Sequence, residues 1–472
     1  MQRRSILMLG PLVLATPFPA LAARPDERFD VVVVGAGGAG LSAAIAAADI
    51  GARVIVLEKM PVVGGNTQLA AGGMNAAATP TQAAKGVKDD WHWMYEDTMK
   101  GGRNRNQADL VELMTRESAS AAAWLASLGA QLPGLVRSGG ARVDRTLQPV
   151  GGPAFGPYIT RLLLDNALRR GVVVRTYSRV TELLPTTEGA IQGVRVQDRR
   201  GDDYTIHTKA VVLASGGYGS SPERVARYRP EFARFTSTGQ IGTTGDALDL
   251  VQRVGAEAFD LEWIQIHPTQ ATGSKTLISE TVRGAGAILV NRQGRRFVNE
   301  VTTRDKVSAA VLAQTGQSAF LIFDAGIRSS MKMMEGFFHL GLVKEGASPQ
   351  DLAARIGVDA SRLGPTLEQY NQFQAAHRDA QFARDELTRP IAQAPFYAIE
   401  INPGIHFTMG GIRINTRTQV MTPHKQPIRG LFAAGEVTGG VHGANRLGGN
   451  AMTALFVFGP IAGQEAAAQA KA

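Results

Sequence analysis

The 472-residue chain contains no cysteine. That excludes disulfides, cysteine-ligated iron–sulfur clusters, covalently attached c-type haem and thiol catalysis on this chain. Redox chemistry here requires a bound organic cofactor, and its electrons must come from elsewhere. A long uninterrupted apolar run is also missing. The apolar stretch near the N-terminus is short and broken by Pro11, Pro17 and Pro19, which argues against a stable membrane anchor. The basic residues are scattered, with no basic tail and no interleaving with aromatics, so a nucleic-acid partner is not expected. No internal repeat or low-complexity segment is evident.

What is present is globular in composition, and its length suits two to three domains with a large buried core. Residues 1–22 combine a basic start, a short apolar stretch and Ala20-Leu21-Ala22, the pattern of a signal peptide with an A-x-A cleavage site. Arg3-Arg4-Ser5-Ile6-Leu7 resembles a twin-arginine signal, which implies export of an already folded chain to the periplasm. Removing Arg3 and Arg4 lowers the formal charge from +9 to +7. A basic surface of that kind attracts anionic substrates or an acidic redox partner.

The first globular stretch, residues 31–58, carries the strongest motif. Val31 to Val34 are β-branched and apolar, as a buried parallel strand requires. Gly35, Gly37 and Gly40 follow at the spacing G-x-G-x-x-G, then small residues suited to a helix pressed on a sheet. A second apolar strand ends at Glu58. Strand, glycine turn, helix, strand and acid together form a dinucleotide-binding βαβ unit. The glycines admit a pyrophosphate, and Glu58 accepts from ribose hydroxyls. This stretch leaves NAD, NADP and FAD all open.

Further along, Gly64-Gly65-Asn66-Thr67 and Ala70 to Asn75 are turns that let backbone approach a flat ligand. Residues 91–129 and 157–170 read as helical. Trp91 and Trp93 are expected to pack there, and His92, with no acid pattern nearby, reads as structural. Strands are expected over Val172–Thr176, Val180–Leu184, Ile191–Gln197 and Tyr204–Leu213. The last closes in Ala214-Ser215-Gly216-Gly217, a second mark of two-motif flavoproteins. Asp246 either touches a cofactor or caps the helix that follows it. Elements become shorter and more charged from about residue 259. Gly430 to Glu436 is another strand into a Gly-acid turn, and Asn445 to Ala451 leads into a last helix whose N-terminus suits a flavin's pyrimidine edge. The expected fold is α/β: a two-part Rossmann-like FAD-binding domain, residues 23–258 and 398–472, with an α+β capping domain inserted at 259–397.

Four further stretches carry chemistry: Gln265 to Thr269, Ser279 to Gly284, Asn299 to Asp305 and Gly404 to Gly411. With Asn445-Arg446 they supply two histidines, three arginines, a serine and a glutamate, a set suited to binding a dianion and moving a proton. Taken singly, a histidine is more often structural and an arginine more often a surface residue.

The stretches AAGGMNAA, EDTMKGG, IHPT, RGAGAILVNRQGRRFVNE, TTRDKVSAA, HFTMGG and AAGEVTGGVHGANRLGGNA go beyond generic nucleotide motifs. On them the chain, from Val31 to the last helix, resembles the flavoprotein part of the soluble flavocytochrome c-type fumarate reductases, without the haem domain. The resemblance implies a non-covalent FAD. Its site would include Ala39, Glu58, Asn66, Thr67, Ala71, Gly72, Gly73, Val180, Asp246, Phe407, Glu436 and Ala451 beside the glycines of the first turn. It implies a dicarboxylate held by His406 and Arg446 at one end and by His267 and Ser279 at the other, with Gly449 and Glu280 against it. Arg304 matches the family's proton donor, with Glu280 and Arg283 as its relay. Arginine, with a pKa above about 12, serves as an acid only toward a strongly basic carbanion and when desolvated. A plain Glu280–Arg283 ion pair is the alternative reading.

Three departures from the family pattern stand out. No haem segment is present, so the electron donor is expected to be separate, a cytochrome c being the family's precedent. Ser279 stands where threonine is usual, and Phe407 where a second histidine is usual. His267 is retained where urocanate-reducing relatives carry tyrosine, which argues for a carboxylate at that end. The expected activity is reduction of an α,β-unsaturated carboxylate, fumarate to succinate. The alternatives are another enoate (methacrylate, urocanate or an aryl acrylate), a desaturating oxidase of succinate or an amino acid, and a non-catalytic flavin carrier.

Overall fold

Four consecutive valines can hide their side chains only in the middle of a sheet covered on both faces, and they do. In the computed structural model, which describes residues 26–150 and 154–471, Val31–Val34 (β1) is buried throughout. It leads through the glycine turn into Gly38–Asp49 (α1) and then Val54–Leu57 (β2). Val173–Arg175 (β3), Ala210–Leu213 (β4) and Pro427–Ala433 (β7) complete a parallel set in the order β7-β4-β1-β2-β3. A short strand, Gln419–Met421, closes the β7 edge in the antiparallel sense. This is the α/β sheet with a dinucleotide turn that the sequence pattern requires. The expected signal peptide, residues 1–22, lies outside the described residues. Among the described residues, no helix is long and apolar enough to cross a membrane.

The last helix, Asn450–Lys471 (α4), lies along α1. A Cβ on Gly463 would sit 2.0 Å from the Ala43 carbonyl oxygen, and one on Gly459 2.8 Å from that of Ala39. Glycines four residues apart therefore set how closely the two backbones meet. The run of small residues after the first turn has this packing as its cause.

Four expectations change. The strand expected over Tyr204–Leu213 is two strands in different sheets. Asp203–His207 joins a four-stranded sheet with Glu27–Arg28, Ile191–Gln197 and Arg179–Pro185, while β4 belongs to the central sheet. Thr208 makes the break, its hydroxyl donating to the Asp30 carbonyl at 2.8 Å and accepting the Ala210 N–H at 3.2 Å. The helical stretch over 91–129 divides into Trp91–Gly101, Ala108–Arg116 and Ser118–Ser127. His92 does have an acid beside it: Asp90, the helix N-cap, lies 2.6 Å from its Nδ1 at the surface. Of the two tryptophans, Trp91 packs on the core while Trp93 is 39% exposed.

A second hydrophobic core lies among residues 271–401, built around Ile288–Val290 and Ala319–Asp324. Two strands join it to the first core: Ile264–Ala271 (β5) and the 13-residue Phe396–Thr408 (β6), paired antiparallel. On β5, Ile264 and Ile266 pack in the first core and Ala271 in the second. On β6, Phe396 to Ile401 pack in the second core and Ile405 in the first. The ladder is irregular at the crossing. Gln265 faces Phe407 and Ile266 faces Ile405, so His406 is the extra residue of a β-bulge. Bulges re-aim side chains, and this one turns His406 toward His267, the ring centroids being 5.1 Å apart.

Candidate active site

A single long cleft runs from the glycine turn to the β5–β6 crossing. At its dinucleotide end Gly35 has φ +105°. The Thr67 hydroxyl accepts the Gly38 N–H at 3.0 Å, fixing the start of α1. Glu58 accepts the Ala36 N–H at 3.0 Å through one oxygen and the Met60 N–H at 2.8 Å through the other. Asn66 donates to Glu436 at 2.7 Å and accepts the Gln240 N–H at 2.8 Å. Burial pushes the Glu436 carboxyl above its ordinary range, opposed by Asn66 and the Thr408 N–H. Asp246 is the first residue of its helix rather than the cap, which is Gly245; its carboxylate meets Lys59 at 3.1 Å and Arg179 at 3.0 Å.

Gly35, Gly37, Ala39, Glu58, Asn66, Thr67, Ala71, Gly72, Gly73, Val180, Asp246, Phe407, Glu436 and Ala451 all line the cleft. Gly40 does not. A Cβ there would meet the Gly35 carbonyl at 2.0 Å, so this glycine serves the packing of helix on turn. The cleft fits a flavin dinucleotide. Its lining at Gly72 has nothing within 4 Å of an added Cβ, and the buried hydroxyl of Ser215, which also lines it, has no protein partner among the described residues. Lys59 and Gln240 also line it and were not anticipated; their positions come from turns whose meeting no local pattern encodes.

The other end of the cleft gathers His267, Ser279, Glu280, Arg304, His406, Arg446 and Gly449. Glu280–Gly284 (α2) and Arg304–Leu312 (α3) each place their first residue there. Arg304 donates from Nε to Glu280 at 3.0 Å and from Nη1 to the Gln265 amide oxygen at 3.2 Å. Gln265 in turn donates to Asn445 Oδ1 and the Arg446 carbonyl, both at 2.8 Å, which fixes its amide so that oxygen faces Arg304. This orienting role was not anticipated. A Cβ on Gly448 would lie 1.9 Å from Glu280 Oε1, so this glycine leaves room for the carboxylate where it meets Arg304. Burial raises the Glu280 carboxyl, but Arg304 and Arg283 outweigh it and hold the group below its usual value.

Arg283 lies behind the cleft, 1% exposed, and donates to the Glu300 carbonyl. It forms no ion pair with Glu280 among the described residues, so the plain Glu280–Arg283 pair is not what holds this turn; Arg304 is Glu280's partner. Burial lowers the Arg283 guanidinium to about 10. Ser279 caps α2 through the Thr281 N–H at 3.3 Å, with its hydroxyl 2.5 Å from that of Thr281.

Arg446 is buried, its guanidinium 4.6 Å from the Phe407 ring centre. Among the described residues, Nη1 reaches only the Leu447 carbonyl at 3.2 Å, and Nε has no partner. Burial and then Arg304 lower this group to about 9. Both imidazoles are held well below the ordinary histidine value, first by burial and then by Arg304. The pocket therefore holds more buried positive charge than its own carboxylates answer, and neutral imidazoles beside it. It suits an anion bearing carboxylates.

Comparison with known proteins agrees with this geometry. A family model described as an FAD binding domain matches residues 30–452. The chain is 46% identical over 452 residues to "Fumarate reductase (cytochrome)" of Shewanella frigidimarina, covering 96% of this chain and 79% of that protein. It is 36% identical to a urocanate reductase of Eggerthella lenta, covering 93% and 75%. Among solved structures, the open conformation of a flavocytochrome c3 fumarate reductase superposes with a TM-score of 0.80 at 47% identity, covering 94% of this chain and 79% of that one.

Proposed function

The chain belongs to the FAD binding domain family and is a fumarate reductase-like FAD-dependent oxidoreductase acting on carbon–carbon double bonds, and from that premise we propose that it reduces fumarate to succinate. The observation that carries this reading is Arg446, buried with a partnerless Nε in a cleft it shares with two neutral histidines. A guanidinium so placed calls for a carboxylate, which it can grip through two parallel bonds.

In this reading Arg446 and His406 hold one carboxylate, and His267 with the Ser279 turn holds the other. The residues of the dinucleotide end would hold FAD without a covalent bond, and the bound flavin would supply the hydride chemistry for one carbon of the double bond. Arg304 supplies the proton to the other carbon. Its Nε–Glu280 and Nη1–Gln265 bonds fix the plane of the guanidinium before substrate arrives. Glu280 is the group in contact with Arg304 from which a proton can return, with Arg283 behind it. Residues 259–397 act as the cap that excludes water. Electrons reach the cofactor from a separate carrier, a cytochrome c by the relatives' precedent, and the chain works in the periplasm after export.

The test is anaerobic oxidation of reduced viologen by FAD-loaded protein purified from the periplasmic fraction, with fumarate, methacrylate, urocanate and an aryl acrylate as acceptors. Turnover with fumarate is expected; turnover confined to a monocarboxylate, or recovery of the protein only from cytoplasm, defeats the corresponding part of the reading. Arg304→Ala should lower fumarate reduction by at least 1000-fold, on the order expected for loss of a positioned proton donor, while flavin absorbance stays bound to the protein.

A further inference from the structure

A neutral imidazole has one N–H, so a histidine that must donate to a carboxylate has to carry its proton on the nitrogen facing it. Both histidines of the cleft use Nδ1 toward protein, and among the described residues every hydrogen bond of either ring runs through Nδ1, which leaves Nε2 for a ligand. We propose that Thr269 and Thr238 set the tautomers of His267 and His406, so that both rings present an Nε2–H donor to the bound dicarboxylate. The proposal rests on the dicarboxylate reading above and adds two positioning residues to it.

For His267 the assignment follows from a backbone donor. Pro268 has no N–H, so Thr269 offers the first amide after His267, and that amide turns back onto Nδ1 at 3.3 Å. The Thr269 hydroxyl lies 3.4 Å from the same nitrogen but sends its proton to the Ile278 carbonyl at 2.7 Å. An amide N–H only donates, so Nδ1 is bare and the ring proton sits on Nε2. His267 is locked.

His406 is set by a rotor. The Thr238 hydroxyl lies 2.9 Å from His406 Nδ1 and 3.1 Å from the Ile405 carbonyl. That carbonyl already accepts the Thr238 N–H at 2.8 Å. The single hydroxyl proton can therefore go to Nδ1 without leaving Ile405 unpaired, and the ring then carries its proton on Nε2. Turning the hydroxyl toward Ile405 reverses the tautomer and removes the donor from the cleft. A carboxylate at Nε2 selects the first arrangement. The two threonines thus play different parts, one fixed by the backbone and one free to follow the ligand.

The test uses FAD-loaded protein with isotope-labelled histidine. Long-range nitrogen–proton correlation spectra distinguish protonated from bare ring nitrogens, and His267→Gln and His406→Gln each remove one set of signals to assign the rings. With succinate bound, both rings should show a bare Nδ1 and a protonated Nε2. His267 should show the same pattern without succinate. A bare Nε2 on either ring in the succinate complex, or a doubly protonated ring, overturns the inference. Kinetics supply the second arm: Thr238→Val should raise KM for fumarate at least tenfold with kcat within threefold, and Thr238→Ser should restore KM to within threefold. An unchanged KM in Thr238→Val also overturns it. Nε2–H on both rings in a protein that turns over no fumarate would uphold the tautomers and defeat the dicarboxylate reading instead.

Discussion

Arg446 keeps a positive charge that is largely buried, with no partner for its Nε among the described residues. Burial, and then Arg304, lower it to about 9. Arg446→Leu should therefore raise the melting temperature of the FAD-loaded protein by a few degrees while lowering fumarate turnover at least 100-fold. Succinate should stabilise the wild type against heat and leave the variant unmoved. His442 offers a matching test of pH. Its ring packs edge-on to Phe407, its Nδ1 has no protein partner among the described residues, and burial lowers its pKa to about 3. Between that value and about 6.5 the unfolded chain binds the extra proton, so its contribution is complete above pH 6.5 and is lost as pH falls. Linkage puts the loss at about 2 kcal/mol between pH 7 and pH 5. His442→Leu should flatten the fall in melting temperature over that interval. At this scale the sequence was informative wherever residue type restricts chemistry. His267, His406, Arg304 and Arg446 do share one cleft. Thr238 escaped notice, and so did the orienting role of Gln265, because their importance lies in which lone pair or proton faces a neighbour.

Elements were legible where the pattern had a single physical solution. Four valines and a glycine turn require the buried parallel strand, and it runs from Val31 to Val34 as expected. The run Tyr204–Leu213 concealed a change of sheet, because an alternating stretch passes into an apolar one with no glycine or proline between them, and the two read as one strand. The bulge at His406 left no mark in composition, since it is defined by a partner strand more than a hundred residues away. The α1–α4 contact lies between these cases: small residues announced close packing, expected against a sheet, and the close partner is the helix α4. Gly463→Ala should cost about 1–3 kcal/mol through overpacking against Ala43. Chemical denaturation would show a lower midpoint with an unchanged slope.

At the scale of the whole molecule, two hydrophobic cores share the β5–β6 ladder, and the substrate end of the cleft sits at their crossing. The relation of the resemblance to the fold was clear because motifs in both parts of the chain matched together. The relative placement of the two cores was not, because only the paired strands determine it. The packing of α4 on α1 has a consequence in time. The dinucleotide turn near residue 35 is synthesised long before the helix that packs beside it. Until α4 lies along α1, α1 has a bare face, and Ala451 is absent from the cleft wall. The wall that would hold the cofactor is therefore completed only after α4 has been made.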